Sequence, residues 1–177
     1  MFVRSLAGIC RPAMHLLSFC LLLSPALAQQ ATPLEPELIN VVYLVNSSDR
    51  TLKPLPKKLG ITDTKLGRTP FKKYGLLRVP GTASSLRLKS ENQLEFVIKC
   101  KNPDSLRLYM FTKKGNNREA TISSATGTGT IDLSYGVKIY LTEYGESLYK
   151  IAVRSLEPGE YGFFKGGIVF AFAVDAN

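Results

Sequence analysis

In the run Leu94-Glu95-Phe96-Val97-Ile98-Lys99-Cys100-Lys101, Leu94, Phe96, Ile98 and Cys100 fall on one side and Glu95, Lys99 and Lys101 on the other. That two-residue period belongs to an extended strand with one face in a core. Similar short runs recur along the chain, each closed by a turn signal. Residues 38–45 are rich in β-branched and aromatic side chains and read as a first strand. Residues 51–55 return as its hairpin partner, confined to a sheet edge by Pro54 and Pro56. Further strands are expected at 76–79 and 85–88 around Pro80-Gly81. Another spans 105–112, after Asn102-Pro103-Asp104, with Leu106, Leu108 and Met110 on one face. The remainder fall at 118–123, 137–142, 148–153 and 160–164. The last, 168–174, is apolar on both faces and suits a position covered on both sides. No stretch carries the helical spacing with caps at both ends. About nine short strands spaced by turns make an all-β chain, an antiparallel β-sandwich.

The chain opens with a different kind of signal. Arg4 and Arg11 precede an apolar run over residues 14–23, and Ala26-Leu27-Ala28 offers small residues for cleavage, the layout of a secretory signal peptide over residues 1–28. The run is too short for a bilayer span, which takes about 20 apolar residues. Neither Cys10, after Ile9, nor Cys20, after Phe19, has the neighbours of a lipid-attachment site. A secreted or periplasmic protein is therefore expected. It would have a flexible leader over 29–37, a single domain over 38–177, and no membrane span once the signal is cut.

Removing residues 1–28 from 177 leaves 149, a length for one core. It also removes the only histidine, His15, together with Cys10 and Cys20. A chain without imidazole lacks the commonest general base and the commonest metal ligand. No Ser-His-Asp site can be built, nor a zinc site of His and Cys. The expectation is a protein that is not an enzyme and carries no cofactor or metal. Cys100 shares the apolar face of its strand and reads as a core residue.

Two sequence stretches carry a resemblance. Leu156-Glu157-Pro158-Gly159-Glu160-Tyr161 resembles the turn-and-tyrosine segment of immunoglobulin-like and fibronectin-like sandwiches, where the tyrosine hydroxyl bonds back to the preceding backbone. More broadly, residues 80–175 are similar to a group of uncharacterised exported bacterial domains. The shared parts are Asn102-Pro103-Asp104 followed by Leu106 and Leu108, Lys113-Lys114-Gly115 followed by Arg118-Glu119, residues 156–161, and the terminal 170–175. The resemblance implies export, bacterial origin and an immunoglobulin-like sandwich. It implies no catalytic residue.

Chemistry is concentrated in one stretch. Over residues 56–74, Lys57, Lys58, Lys65, Arg68, Lys72 and Lys73 are opposed only by Asp63, and the apolar residues follow no period, so a basic loop is expected. With Arg4 and Arg11 gone, 21 basic residues face 14 acidic ones, a net charge of +7. Such a surface attracts polyanions. Lys57, Lys58, Arg68, Lys72 and Lys73 are the candidate anion-binding residues, with Phe71 and Tyr74 as stacking surfaces. For an exported chain the partners would be an envelope protein, an anionic glycan or lipid headgroups rather than nucleic acid. The acidic pairs Glu143 with Glu146 and Glu157 with Glu160 lie at turns, where acids are ordinary. The run Thr126-Gly127-Thr128-Gly129-Thr130 lacks the Lys-Ser/Thr of a phosphate loop and reads as a flexible loop with its neighbours 124–125. The function expected is a structural or interaction role at the cell envelope. The alternatives are a binder of anionic envelope polymer or lipid headgroups through the basic segment or, third, a carboxylate-dependent envelope hydrolase.

Overall fold

Residues 34–69, 71–90, 93–127 and 130–176 are described by the computed structural model, and they form two sheets packed face to face. The first sheet has five strands in the order β11 (Tyr140–Gly145), β12 (Leu148–Arg154), β7 (Gln93–Lys99), β1 (Val42–Val45), β2 (Leu52–Pro54). The second runs β3 (Lys57–Leu59), β14 (Ile168–Asp175), β13 (Gly159–Lys165), β8 (Arg107–Lys114), β9 (Asn117–Thr126), β5 (Lys72–Pro80), β4 (Ile61–Leu66). Two short strands flank it, β10 (Ile131–Asp132) on β9 and β6 (Arg87–Lys89) on β14. All pairings are antiparallel except β6 with β14. The expected signal peptide, residues 1–28, and residues 29–33 of the expected leader lie outside the described residues.

Alternation decides what fills the space between the sheets. Leu94, Phe96 and Ile98 of β7 and Ile151 and Val153 of β12 meet Leu108 of β8, Tyr161 and Phe163 of β13, and Phe170, Phe172 and Val174 of β14. The Phe96 ring stands edge-on to Phe163 at 5.0 Å between centroids, and Tyr161 stacks on Phe172 at 5.7 Å. Burying one such ring contributes about 2–3 kcal/mol. Tyr161 also donates its hydroxyl to the Glu157 carbonyl at 2.8 Å, so the ring fills core while its polar end ties down the preceding turn. Cys100 lies in this core as its spacing indicates, 1 % exposed.

A second core sits on the opposite face of the longer sheet. Val169 and Ala171 of β14, Tyr109 and Phe111 of β8, Ala120 of β9, and Leu77 and Val79 of β5 pack together there. They can do so because the sheet is rolled. Its order begins with β3 and ends with β4, yet only Gly60 separates these strands in the chain. The run from Lys57 to Leu66 pairs first with β14 and then with β5, so the two ends of the sheet meet at Gly60. A methyl group there would lie 2.9 Å from Leu77 Cδ1 and 3.0 Å from Val169 Cγ2. Only glycine lets the backbone pass this close over the second core. The last strand thus divides two cores, in keeping with its two apolar faces.

Several expectations change. The described residues hold fourteen strands rather than about nine. The segment 56–74 is not a basic loop, since β3, β4 and the start of β5 occupy most of it. Its letters lack a period because β3 and β4 are exposed on both faces and are held by ladder hydrogen bonds. Likewise Ser124, Ala125 and Thr126 continue β9. The first strand starts at Val42, because Asn40 adopts φ 59° in the turn before it. Residues 34–37 are anchored rather than loose: the Leu34 carbonyl accepts the Tyr144 hydroxyl at 2.5 Å, Glu35 pairs with Lys99, and Pro36 is buried. Met110 follows the alternation of Leu106 and Leu108 but is 47 % exposed, for a reason that concerns the site.

Candidate functional site

The side on which Leu106, just before β8, and Leu108 enter the sandwich core continues along β8 through Met110, Thr112 and Lys114. Beyond Leu108 the five-stranded sheet no longer covers it. There the outer face of the roll, formed by β8, β9, β5 and β4, becomes the floor of an open groove of about 870 Å³. Leu76 and Tyr74 come from β5, Glu119 and Thr121 from β9, and Lys65 from β4. Tyr135 reaches in from the segment after β10, which is held alongside by the Val137 N–H to Leu108 carbonyl bond of 2.8 Å. That volume is in the range of small-ligand sites, about 300–1,000 Å³.

Charge in the groove is one-sided. Lys65, Arg68, Lys72 and Lys114 line it, against the single carboxylate of Glu119. Glu119 is already held by Arg78, whose Nε and Nη2 each lie 2.9 Å from Oε1. Among the described residues, no carboxylate forms an ion pair with Lys65, Arg68, Lys72 or Lys114. The Lys72 ammonium lies over the Tyr74 ring, 5.2 Å from its centroid. Contact with Tyr74 raises its pKa, with smaller contributions from Tyr135 and Asp132, so Lys72 remains a cation at any physiological pH. Asp132 nearby is held below the usual carboxylate range, chiefly by the Ser134 hydroxyl and backbone N–H and only lastly by Lys72.

Of the five cations singled out in the sequence, Arg68 and Lys72 line the groove. Lys73 follows Lys72 in β5 and so takes the opposite face. Lys57 and Lys58 sit on β3 at the far end of the strand order, paired with Phe170 and Val169. The groove gains instead Lys65, noted within the basic run but not chosen, and Lys114 and Tyr135, which come from distant segments. Lys113-Lys114-Gly115 was visible only as a turn.

The acidic pairs do not form a second site. Glu143 and Glu146 are exposed, and Glu160 is taken up by Arg118, whose Nη1 lies 2.8 Å from its Oε2, and by the Ser84 N–H and hydroxyl at 2.9 and 2.6 Å. This cluster is buried, with Arg118 1 % exposed. No helix among the described residues is long and apolar enough to cross a membrane. No protein-family model matches the chain, and comparison with curated proteins and with solved structures gives no match to either.

Proposed function

We propose that the protein is a non-catalytic binding module of the bacterial cell envelope, exported through a signal peptide over residues 1–28, that takes an anionic glycan in the groove between β8 and β4. The observation that carries this reading is the convergence of Lys65, Arg68, Lys72 and Lys114 on two tyrosines, with the one groove carboxylate already neutralised by Arg78. Unpaired cations in a concave surface focus a positive potential on whatever enters it. Tyr74 and Tyr135 supply flat apolar faces of the kind that pack against a sugar ring. The absence of histidine after residue 28, and the use of Glu160 within a buried ion pair, support binding over catalysis. The tyrosine turn at Tyr161 supports an immunoglobulin-like relationship for the sandwich.

The test is chromatography on immobilised heparin, with the salt at elution as the readout. Reversing Lys65 and Lys114 together (K65E, K114E) should lower the eluting salt well below that of the parent protein. Reversing Lys57 and Lys58 (K57E, K58E) changes net charge equally and should lower it far less. Equal losses in the two double variants would reduce the effect to net charge and overturn the groove assignment.

A further inference from the structure

The inward face of the roll loses its cover toward one end. On β5 the side chains of Lys73, Gly75, Leu77 and Val79 alternate onto that face. Leu77 and Val79 are 0 % and 1 % exposed, whereas Lys73 is open to solvent. The register carries this row across four strands, from exposed Leu66 on β4 and Lys73 on β5 through half-buried Ala125 on β9 to exposed Ile131 on β10. Leu66 and Ile131 are 65 % and 66 % exposed although they point the same way as the core residues. The four strands therefore overhang the body.

Phe71 stands at the end of this overhang and is 73 % exposed. It rests against Gly127 of the neighbouring turn, where an added Cβ would lie 3.2 Å from Phe71 Cβ. Lys72 pairs with Thr126, which puts the β4–β5 and β9–β10 turns at the same end. Lys65, Arg68, Lys72 and Lys73 surround Leu66 and Phe71 in sequence, and Asp132 is the only carboxylate among the described residues of 64–73 and 124–132.

We infer that this overhang docks on an anionic phospholipid bilayer, with Phe71, Leu66 and Ile131 entering the headgroup region and the surrounding cations meeting lipid phosphates. Exposed apolar tips flanked by cations bind such surfaces through apolar burial and attraction to anionic lipid together. A protein partner fits less well, because lysine is depleted from the centres of protein interfaces whereas here it alternates with the apolar side chains. Lysine stems can lie along the acyl boundary while their ammonium groups stay among the phosphates. Leu66, Lys65, Arg68 and Lys72 also line the groove, but Phe71 and Ile131 do not, and on these two the inference goes beyond the glycan reading.

The experiment uses vesicles of phosphatidylcholine alone and of phosphatidylcholine mixed with phosphatidylglycerol. The protein should sediment with the mixed vesicles and stay in solution with the neutral ones. The chain has no tryptophan, so F71W introduces a single reporter. Its emission should shift to the blue on adding mixed vesicles. F71S combined with I131S should lose sedimentation while keeping the parent's heparin elution and circular dichroism. K114E, on β8, should elute earlier from heparin yet sediment with mixed vesicles as the parent does, so the groove and the tip can fail separately. The inference is overturned if mixed vesicles leave the parent in solution, if F71S with I131S sediments unchanged, or if the F71W shift appears without lipid and grows with protein concentration. That last result would assign the tip to a second copy of the chain.

Discussion

Arg118 on β9 and Glu160 on β13 meet at 2.8 Å across β8, the strand that separates them in the sheet. Arg118 is paired in register with Val79, and Glu160 with Phe111, both members of the second core. The ion pair therefore closes one end of the roll. Its Nη2 is buried with no hydrogen-bond partner among the described residues, while Nε donates to the Gly81 carbonyl at 3.1 Å and Nη1 also reaches the Ser84 hydroxyl.

Breaking the pair should cost more than replacing it. E160Q leaves a buried guanidinium without its counter-charge and should lower the unfolding free energy by about 3–5 kcal/mol, measured by urea denaturation. Substituting both partners by methionine removes the stranded charge and the unpaired Nη2, and should recover much of that loss. A double variant no more stable than E160Q would contradict this account.

The closure at Gly60 predicts a second stability effect. In G60A the new methyl presses on Leu77, Val169 and Phe164 at once, the last at 3.2 Å from Phe164 Cε2. Overpacking of this kind costs about 1–3 kcal/mol. G127A, where the contact is with the exposed Phe71, should shift the urea midpoint much less.

Asp175 gives a pH dependence with a defined sign. Its carboxylate accepts a hydrogen bond from Arg87 Nε at 3.0 Å, and that bond, helped by the charge of Arg87, holds its pKa below the usual carboxylate range. A folded value below the unfolded one means that the contribution of this pair is complete above the unfolded pKa and disappears as pH falls through the folded one. Carbon NMR of the Asp175 carboxyl should show titration below the ordinary aspartate range in the parent, and R87A should bring it back toward that range.

Cys100 should resist thiol reagents. Burial raises its pKa above the ordinary thiol value, and the thiolate is the reacting species. Labelling of the native protein then waits on opening, which exposes a fraction of about 10⁻³–10⁻⁶ of a typical domain. Absorbance with a disulfide exchange reagent, run with and without urea, measures the difference. Equal rates would place the thiol at the surface.

What could be read from the sequence is what local alternation reports. Leu94, Phe96, Ile98 and Cys100 share a buried face in the structure, and β2 lies at a sheet edge where Pro54 and Pro56 confine it. The two-sided apolar pattern of 168–174 matches its place between two cores. Alternation is silent where burial is absent, and that is why β3 and β4 read as a loop. It is equally silent about where a covering sheet stops, so Met110 reads as core although its face opens into the groove. Lys65, Lys114 and Tyr135 converge only through the rolled topology, and no spacing along the chain brings them together. Lys57, Lys58 and Lys73 have the right chemistry but sit on other faces.

The position of β14 has a consequence for biosynthesis. Residues 168–175 wall off both cores and receive β3 from more than a hundred positions upstream, so neither interior can be completed before these residues have been synthesised. Such distant pairing also slows folding. The nascent chain thus stays open until β14 emerges, and that strand acts as the keystone that lets the earlier strands lock.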